Sequence, residues 1–248
     1  MKFDIDFLSP QKWMNAAGTA GYIPSKNFQH QFPEIQLFIT NPISYLPRTP
    51  ANQRSLFPYQ GGFLIHSGYP NPGIQKIMQN YGQVWEKSQL PICVNLLSDD
   101  PRYIEKIIRL VENINNISAI EIGVDVSSTR DEISGMINAA LGELPIILSL
   151  PYELVFQEWL DLLLIPEIVA ISIQAPRGVL VRNQQVIRGR MYGESVFPLT
   201  MHAVQHLSTL QKPIFAGVGV TKKEYLCDLF SCGAHNFQAH ELIWRDFL

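Results

Sequence analysis

The sequence predicts an α/β fold, a single (β/α)8 TIM barrel over residues 1–248, from three observations. Short runs that are apolar on both faces recur along the chain, as in a parallel sheet covered by helices. Most of them are followed by a segment of helical periodicity. The whole fits the roughly 250 residues that eight such units occupy. A doubly wound open sheet is the alternative, and the strand count disfavours it.

The candidate strands are Trp13–Gly18, Leu37–Asn41, Ile92–Leu97, Ala119–Val124, Ile146–Pro151, Val169–Gln174, Ile214–Gly219 and Asn236–Glu241. Pro91, Pro145 and Pro213 open three strands, where a missing N–H removes no ladder bond. Asp99-Asp100-Pro101-Arg102 reads as a helix start, and Ile104, Ile107, Ile108 and Val111 mark one face over Tyr103–Ile114. Thr129 and Glu132 are spaced as a capping box for a helix over Thr129–Ala140. Further helices are expected over Glu153–Leu164, Phe197–Leu210 and Lys222–Ser231. Two stretches break the rhythm and are read as coverings of the barrel mouth: residues 42–60, rich in proline, and 175–195, a loop carrying Arg177, Arg182, Arg188 and Arg190. The last helix is expected to be shortened, since Glu241 lies close to Leu248. The apolar seam this leaves predicts a homo-oligomer or a partner subunit that covers it.

Composition narrows the functions. The chain is 46% hydrophobic and 17% charged, too apolar for disorder, and no run is long and apolar enough for a transmembrane helix. Met1-Lys2-Phe3-Asp4 lacks the pattern of a secretory signal, so a cytoplasmic location is expected. Nineteen basic residues stand against 22 acidic ones, a net charge of −3 with no basic block, which speaks against nucleic-acid binding. Cys93, Cys227 and Cys232 form no CxxC pair, which argues against a disulfide framework or a cysteine zinc site.

In a barrel, chemistry sits at the carboxyl ends of the strands. Gly217-Val218-Gly219-Val220-Thr221 after the seventh strand and Gly189 to Gly193 before it have the glycine content of turns whose N–H groups hold a phosphate. Glycine at tight βα turns also solves backbone geometry alone, and both readings stand.

Met14-Asn15-Ala16-Ala17-Gly18-Thr19, Ile39-Thr40-Asn41-Pro42-Ile43-Ser44 with Leu46-Pro47-Arg48, and Gly62-Phe63-Leu64 through Gly68-Tyr69-Pro70-Asn71-Pro72-Gly73 carry a resemblance. With Pro91–Asn95, Ala119–Ile122 and Pro213–Gln238, they resemble the dihydroorotate dehydrogenase family in order and spacing. The resemblance implies an FMN-dependent oxidoreductase of pyrimidine biosynthesis acting on a small, pyrimidine-like substrate. It implies Ala16, Ala17, Gly18, Asn41, Ser149, Gly193, Gly217 and Gly219 at the cofactor, and Asn71 and Asn95 at the substrate.

Several positions depart from the family. Ile65 and Gly123 replace expected asparagines, Asn41 and Ser149 replace lysines, and Gly189-Arg190 replaces paired glycines. Val126 stands where the base is expected and cannot take a proton; Asp125 and Ser127, as strand neighbours, are expected to point away. His240-Glu241 replaces the residues that close the phosphate site, and a carboxylate there would repel a phosphate unless Arg188 or Arg190 compensates. His66, beside the expected pocket, is the stand-in base, because imidazole exchanges protons near neutrality. His202 and His206 share a helix face but lack further metal ligands, so no metal is expected.

Three functions remain open: an FMN oxidoreductase with altered substrate or mechanism, a catalytically silent barrel that binds FMN or another phosphate ligand, and a structural or regulatory barrel that binds none.

Overall fold

The computed structural model describes residues 6–51, 56–97, 100–157 and 160–245. Asp99 of the expected helix start and the centre of the Glu153–Leu164 stretch lie outside them. In chain order the elements begin with β1 (Trp13–Asn15), α1 (Phe28–Gln31), β2 (Ile35–Ile39), β3 (Leu56–Tyr59), β4 (Gly62–Ile65) and α2 (Ile74–Glu86). Next come β5 (Ile92–Leu97), α3 (Pro101–Val111), β6 (Ile117–Gly123), α4 (Arg130–Ala140), β7 (Ile146–Pro151) and β8 (Ile168–Gln174). The remainder is β9 (Arg177–Arg182), β10 (Gln185–Tyr192), α5 (Phe197–Leu207), β11 (Ile214–Ala216), α6 (Tyr225–Ser231), β12 (Asn236–Ala239) and α7 (Glu241–Arg245).

Eight parallel strands close into a barrel in the order β1-β12-β11-β8-β7-β6-β5-β2, the predicted architecture. The expected capping box forms: Glu132 N–H donates to Thr129 Oγ1, and Thr129 N–H donates to Glu132 Oε2. Asp100 caps α3 by accepting from Arg102 N–H.

Three expectations change. Glu153–Leu164 is no α-helix; its described parts include 3-10 turns at Tyr152–Leu154 and Leu160–Leu164. Helical spacing reports a buried stripe, and Leu154, Val155, Leu162 and Leu163 are buried by turns as effectively as by a helix. Residues 175–195 form a hairpin rather than a loop: β9 pairs β10, β10 pairs β4, and β4 pairs β3. The two interruptions of the sequence thus join in one four-stranded antiparallel sheet, order β3-β4-β10-β9. Asp125, Val126 and Ser127 are not strand residues, because β6 ends at Gly123 and Ser128 N–H closes a turn on the Asp125 carbonyl. The alternation that would turn Asp125 and Ser127 away does not apply to them. Helix α2, which the sequence reading did not single out, buries Ile74, Ile77 and Trp85.

Inside the barrel, the period of two along each strand sets two layers. The lower is apolar: Met14, Leu37, Ile39, Cys93, Ala119, Ile147, Ala170 and Phe215 pack together, with Phe7 at the bottom. Two residues further along four of these strands the inner face turns polar. Cys93 is followed by Asn95, Ala119 by Glu121, Ile147 by Ser149 and Ala170 by Ser172, all buried. The polar layer is the floor of the mouth.

Candidate functional site

A cavity of about 460 Å³ lies at the carboxyl ends of the strands. Its floor includes Asn95, Glu121, Ser149 and Gln238; its walls include Asp125, Gln174, Arg177, Arg190, Tyr69, His66 and His240.

Glu121 organises the floor. Its side chain has no exposure, yet both oxygens are bonded: Oε1 accepts from Ser172 Oγ (2.6 Å) and Gln238 Nε2 (2.9 Å), Oε2 from Asn95 Nδ2 (2.8 Å). Burial raises its pKa, and the three donors pull the other way. The carboxylate also orients its neighbours. An amide has one donor end and one acceptor end, so Asn95 and Gln238, with their NH2 groups committed to Glu121, keep carbonyl oxygens for the cavity. Gln174 repeats this at the wall: its Nε2 donates to the carbonyls of Ser149 (2.6 Å) and Val124 (3.3 Å). Three amides therefore offer acceptors to whatever the cavity holds.

The opposite chemistry comes from β10. Arg190 donates from Nε to Tyr69 Oη (2.5 Å) and from Nη1 to the Ala175 carbonyl (3.0 Å), partners that are neutral. Arg177 is paired with Asp125 at 2.5 Å; partial burial pushes the Asp125 pKa up, but the Ser127 backbone and hydroxyl donors first, and the Arg177 and Arg190 charges after them, hold it below the usual carboxylate range. His240 lines the same cavity with both ring nitrogens buried and unpartnered among the described residues. Burial first, and the Arg190 charge second, depress its pKa to about 3, so the ring is neutral.

The residues singled out in the sequence divide. Asn95, Ser149, Ala17 and His66 line the cavity. Asn71 does not: its Oδ1 accepts from Ser44 N–H, Ser44 Oγ and Gly73 N–H, and its Nδ2 donates to Tyr69, so its side chain holds a loop. Asn41 likewise ties residue 21 through its Oδ1. Ala16 is buried, and Gly18 takes φ +86 in the turn after β1. Gly217 is required by packing, since a Cβ there would lie 2.0 Å from the Gln238 carbonyl oxygen. Val126 lies outside the cavity lining.

Gly193 and Gly219 converge on one point, and a side chain of the protein occupies it. Their N–H groups donate to Glu241 Oε1 at 2.9 and 2.8 Å. Neither position admits a side chain: φ is +109 and +86, and a Cβ would lie 2.5 Å from Gly62 Cα or 2.4 Å from Phe197 N. Glu241 is 6% exposed and its Oε2 is buried without a partner. Desolvation raises its pKa to about 7, against the lowering effect of the two glycine amides and of its own backbone N–H. In the placement that the family resemblance implies, an FMN phosphate would take these same amides, and with Glu241 on them the residues present do not fit it there.

Glu121 and Gln238 are not singled out by the sequence, whereas Gln174 stands at the carboxyl end of its candidate strand without an assigned role. The signal was available: a glutamate inside the apolar run Ala119–Val124, in step with Ala119 on one strand face, has to be buried in the barrel.

No family model and no curated protein matches this chain. Among solved structures it is similar to a DHODH (dihydroorotate dehydrogenase) from Eimeria tenella, crystallised with ferulenol. The TM-score is 0.73 at 13% identity, over 99% of this chain and 82% of that one. The likeness shows a common (β/α)8 fold. Among the described residues no helix is long and apolar enough to cross a membrane, and no group of three metal-binding side chains occurs.

Proposed function

We propose that the protein is a small-molecule-binding barrel whose mouth takes a compact ring ligand with N–H donors at one end and an acidic group at the other, a pyrimidine carboxylate such as orotate or dihydroorotate. The observation that carries this reading is the fixed acceptor face of Asn95, Gln174 and Gln238 in one cavity with Arg190, whose hydrogen-bond partners are neutral and whose charge is also felt by the carboxylates of Asp125 and Glu153. Ring N–H groups complement the amide oxygens, and a carboxylate complements the guanidinium. A cavity of about 460 Å³ is in the range of small-ligand sites.

FMN-dependent oxidation, which the family resemblance implies, is the second reading. The fold likeness over nearly the whole chain favours it. Glu241 at the glycine amides opposes it, and so does Val126, which cannot act as a base.

A thermal-shift panel tests the first reading. Orotate is expected to raise Tm, with uracil weaker for lack of the carboxylate and N-methylated orotates weaker for lack of a donor. Each loss should weaken binding about tenfold or more, as an unpaired buried polar group does. Equal shifts from orotate, uracil and the methylated rings, or none from any, overturn the proposal. Stoichiometric FMN in the purified protein, seen in its visible spectrum, would reinstate the second reading.

A further inference from the structure

We propose that Glu241 is a built-in occupant of an oxyanion cup formed by the Gly193 and Gly219 amides, and that shortening this side chain opens a site for a free oxyanion such as acetate or inorganic phosphate. The cup is separate from the ligand cavity: Gly193, Gly219 and Glu241 are absent from its lining, whereas Tyr192 and His240, each one residue before a cup member, belong to it. The inference therefore does not rest on which ligand the cavity takes.

Two features make this a built site rather than an ordinary turn contact. Both donors are at glycines whose φ and close neighbours exclude any side chain, so the backbone is held with its N–H groups exposed to a single point. What fills that point is a carboxyl group in poor circumstances. One oxygen takes both hydrogen bonds, and the other is buried with no partner among the described residues. A structure that needed only two N–H groups satisfied could have used a carbonyl or a hydroxyl, without desolvating a carboxyl group. The arrangement suits an oxyanion with several oxygens better than it suits the side chain that holds it. The aromatic rings of Tyr192, His240 and Trp244 pack on one another, with Tyr192 and Trp244 centroids 4.8 Å apart, and Glu241 itself is buried.

Size sets the variants. Glu241→Ala removes a methylene and a carboxylate, the heavy atoms of one acetate; Glu241→Gly removes one carbon more, leaving room nearer to that of phosphate. In anion-free buffer both variants should melt several degrees below wild type, because two buried N–H groups are left unpaired. Acetate should restore Tm in the alanine variant and inorganic phosphate in the glycine variant, with chloride without effect, while wild type responds to none. Orotate binding, measured in the same variants, should persist, so that failure of the cup and failure of the cavity reading give different results. Folded variants that ignore acetate and phosphate, or a wild type that gains the same shift, would overturn the proposal.

If both variants fail to fold, wild type supplies another readout. The amide proton shifts of Gly193 and Gly219 should move together through one titration near neutrality, and Glu241→Gln should abolish it. Shifts that stay flat in wild type would contradict an ionisable occupant and sink the inference.

Discussion

Two glutamates are buried at the top of this barrel, and they are held in opposite ways. Glu121 has both oxygens bonded, to three neutral side-chain donors, and its neighbours gain a fixed orientation toward an open cavity. Glu241 has one oxygen bonded, to two backbone donors, and the other bonded to nothing among the described residues. One carboxylate builds a site by turning amide carbonyls outward; the other occupies a site and closes it. The difference teaches that a buried charge is read by what its partners do next. Donors that belong to amide side chains pass orientation on to a ligand, whereas the backbone amides of Gly193 and Gly219 have their other ends, the carbonyls of Tyr192 and Val218, taken by the hydroxyls of Tyr59 and Thr200.

The contrast is most severely tested by removing Glu121. Glu121→Ala leaves the Asn95, Ser172 and Gln238 donors unpaired in the barrel interior. It should cost about 4 kcal/mol or more, at ~1–3 kcal/mol for each unsatisfied group, measured by urea unfolding. Glu121→Gln should be milder in stability but should abolish preference among cavity ligands, because its NH2 must now face one of those donors.

A second test uses pH. The folded value of Glu241, about 7, lies above its unfolded value of 4.5, so its contribution to stability is full below pH 4.5 and is lost as pH rises through 7. His240 runs the other way: with a folded value of about 3 against 6.5 unfolded, its contribution is full above pH 6.5 and falls away on acidification. Between pH 4.5 and 6.5 the two slopes oppose each other in wild type. In Glu241→Gln the His240 slope stands without that opposition, and stability relative to wild type should fall by about 3 kcal/mol across that window as pH is lowered. Denaturant melts at several pH values decide it, and parallel curves for the two proteins would show that Glu241 is not held near neutrality.

Smaller effects follow at the cavity wall and rim. Arg190→Gln should weaken orotate binding by tenfold or more, as read by calorimetry, and leave uracil affinity nearly unchanged, since only the acidic end loses a partner. Val126→Ser should change stability by no more than about 0.5 kcal/mol and create no dihydroorotate oxidation, because the residue is in a rim turn away from the cavity.

The barrel was legible because strand burial on two faces and helical periodicity are local signals, and eight of them leave few architectures. Glu153–Leu164 misled for the same reason: a buried stripe looks helical whether a helix or short turns bury it. The joining of β4 to β10 was not legible, since pairing across more than a hundred residues leaves no periodic mark. At the site, Asn95 and Ser149, which the sequence singles out, line the cavity, while Asn71 carries the same residue type into a loop whose own N–H groups take up its oxygen. Glu241 was recognised as a misfit for a phosphate, but only geometry reveals that it occupies the amides itself.

Calorimetric titration of the purified wild-type protein with orotate and, separately, with FMN tests the central claim most directly. The account predicts one equivalent of orotate bound to the cavity and no saturable heat from FMN. Stoichiometric FMN binding, with orotate binding only to the flavin-loaded protein, would contradict it.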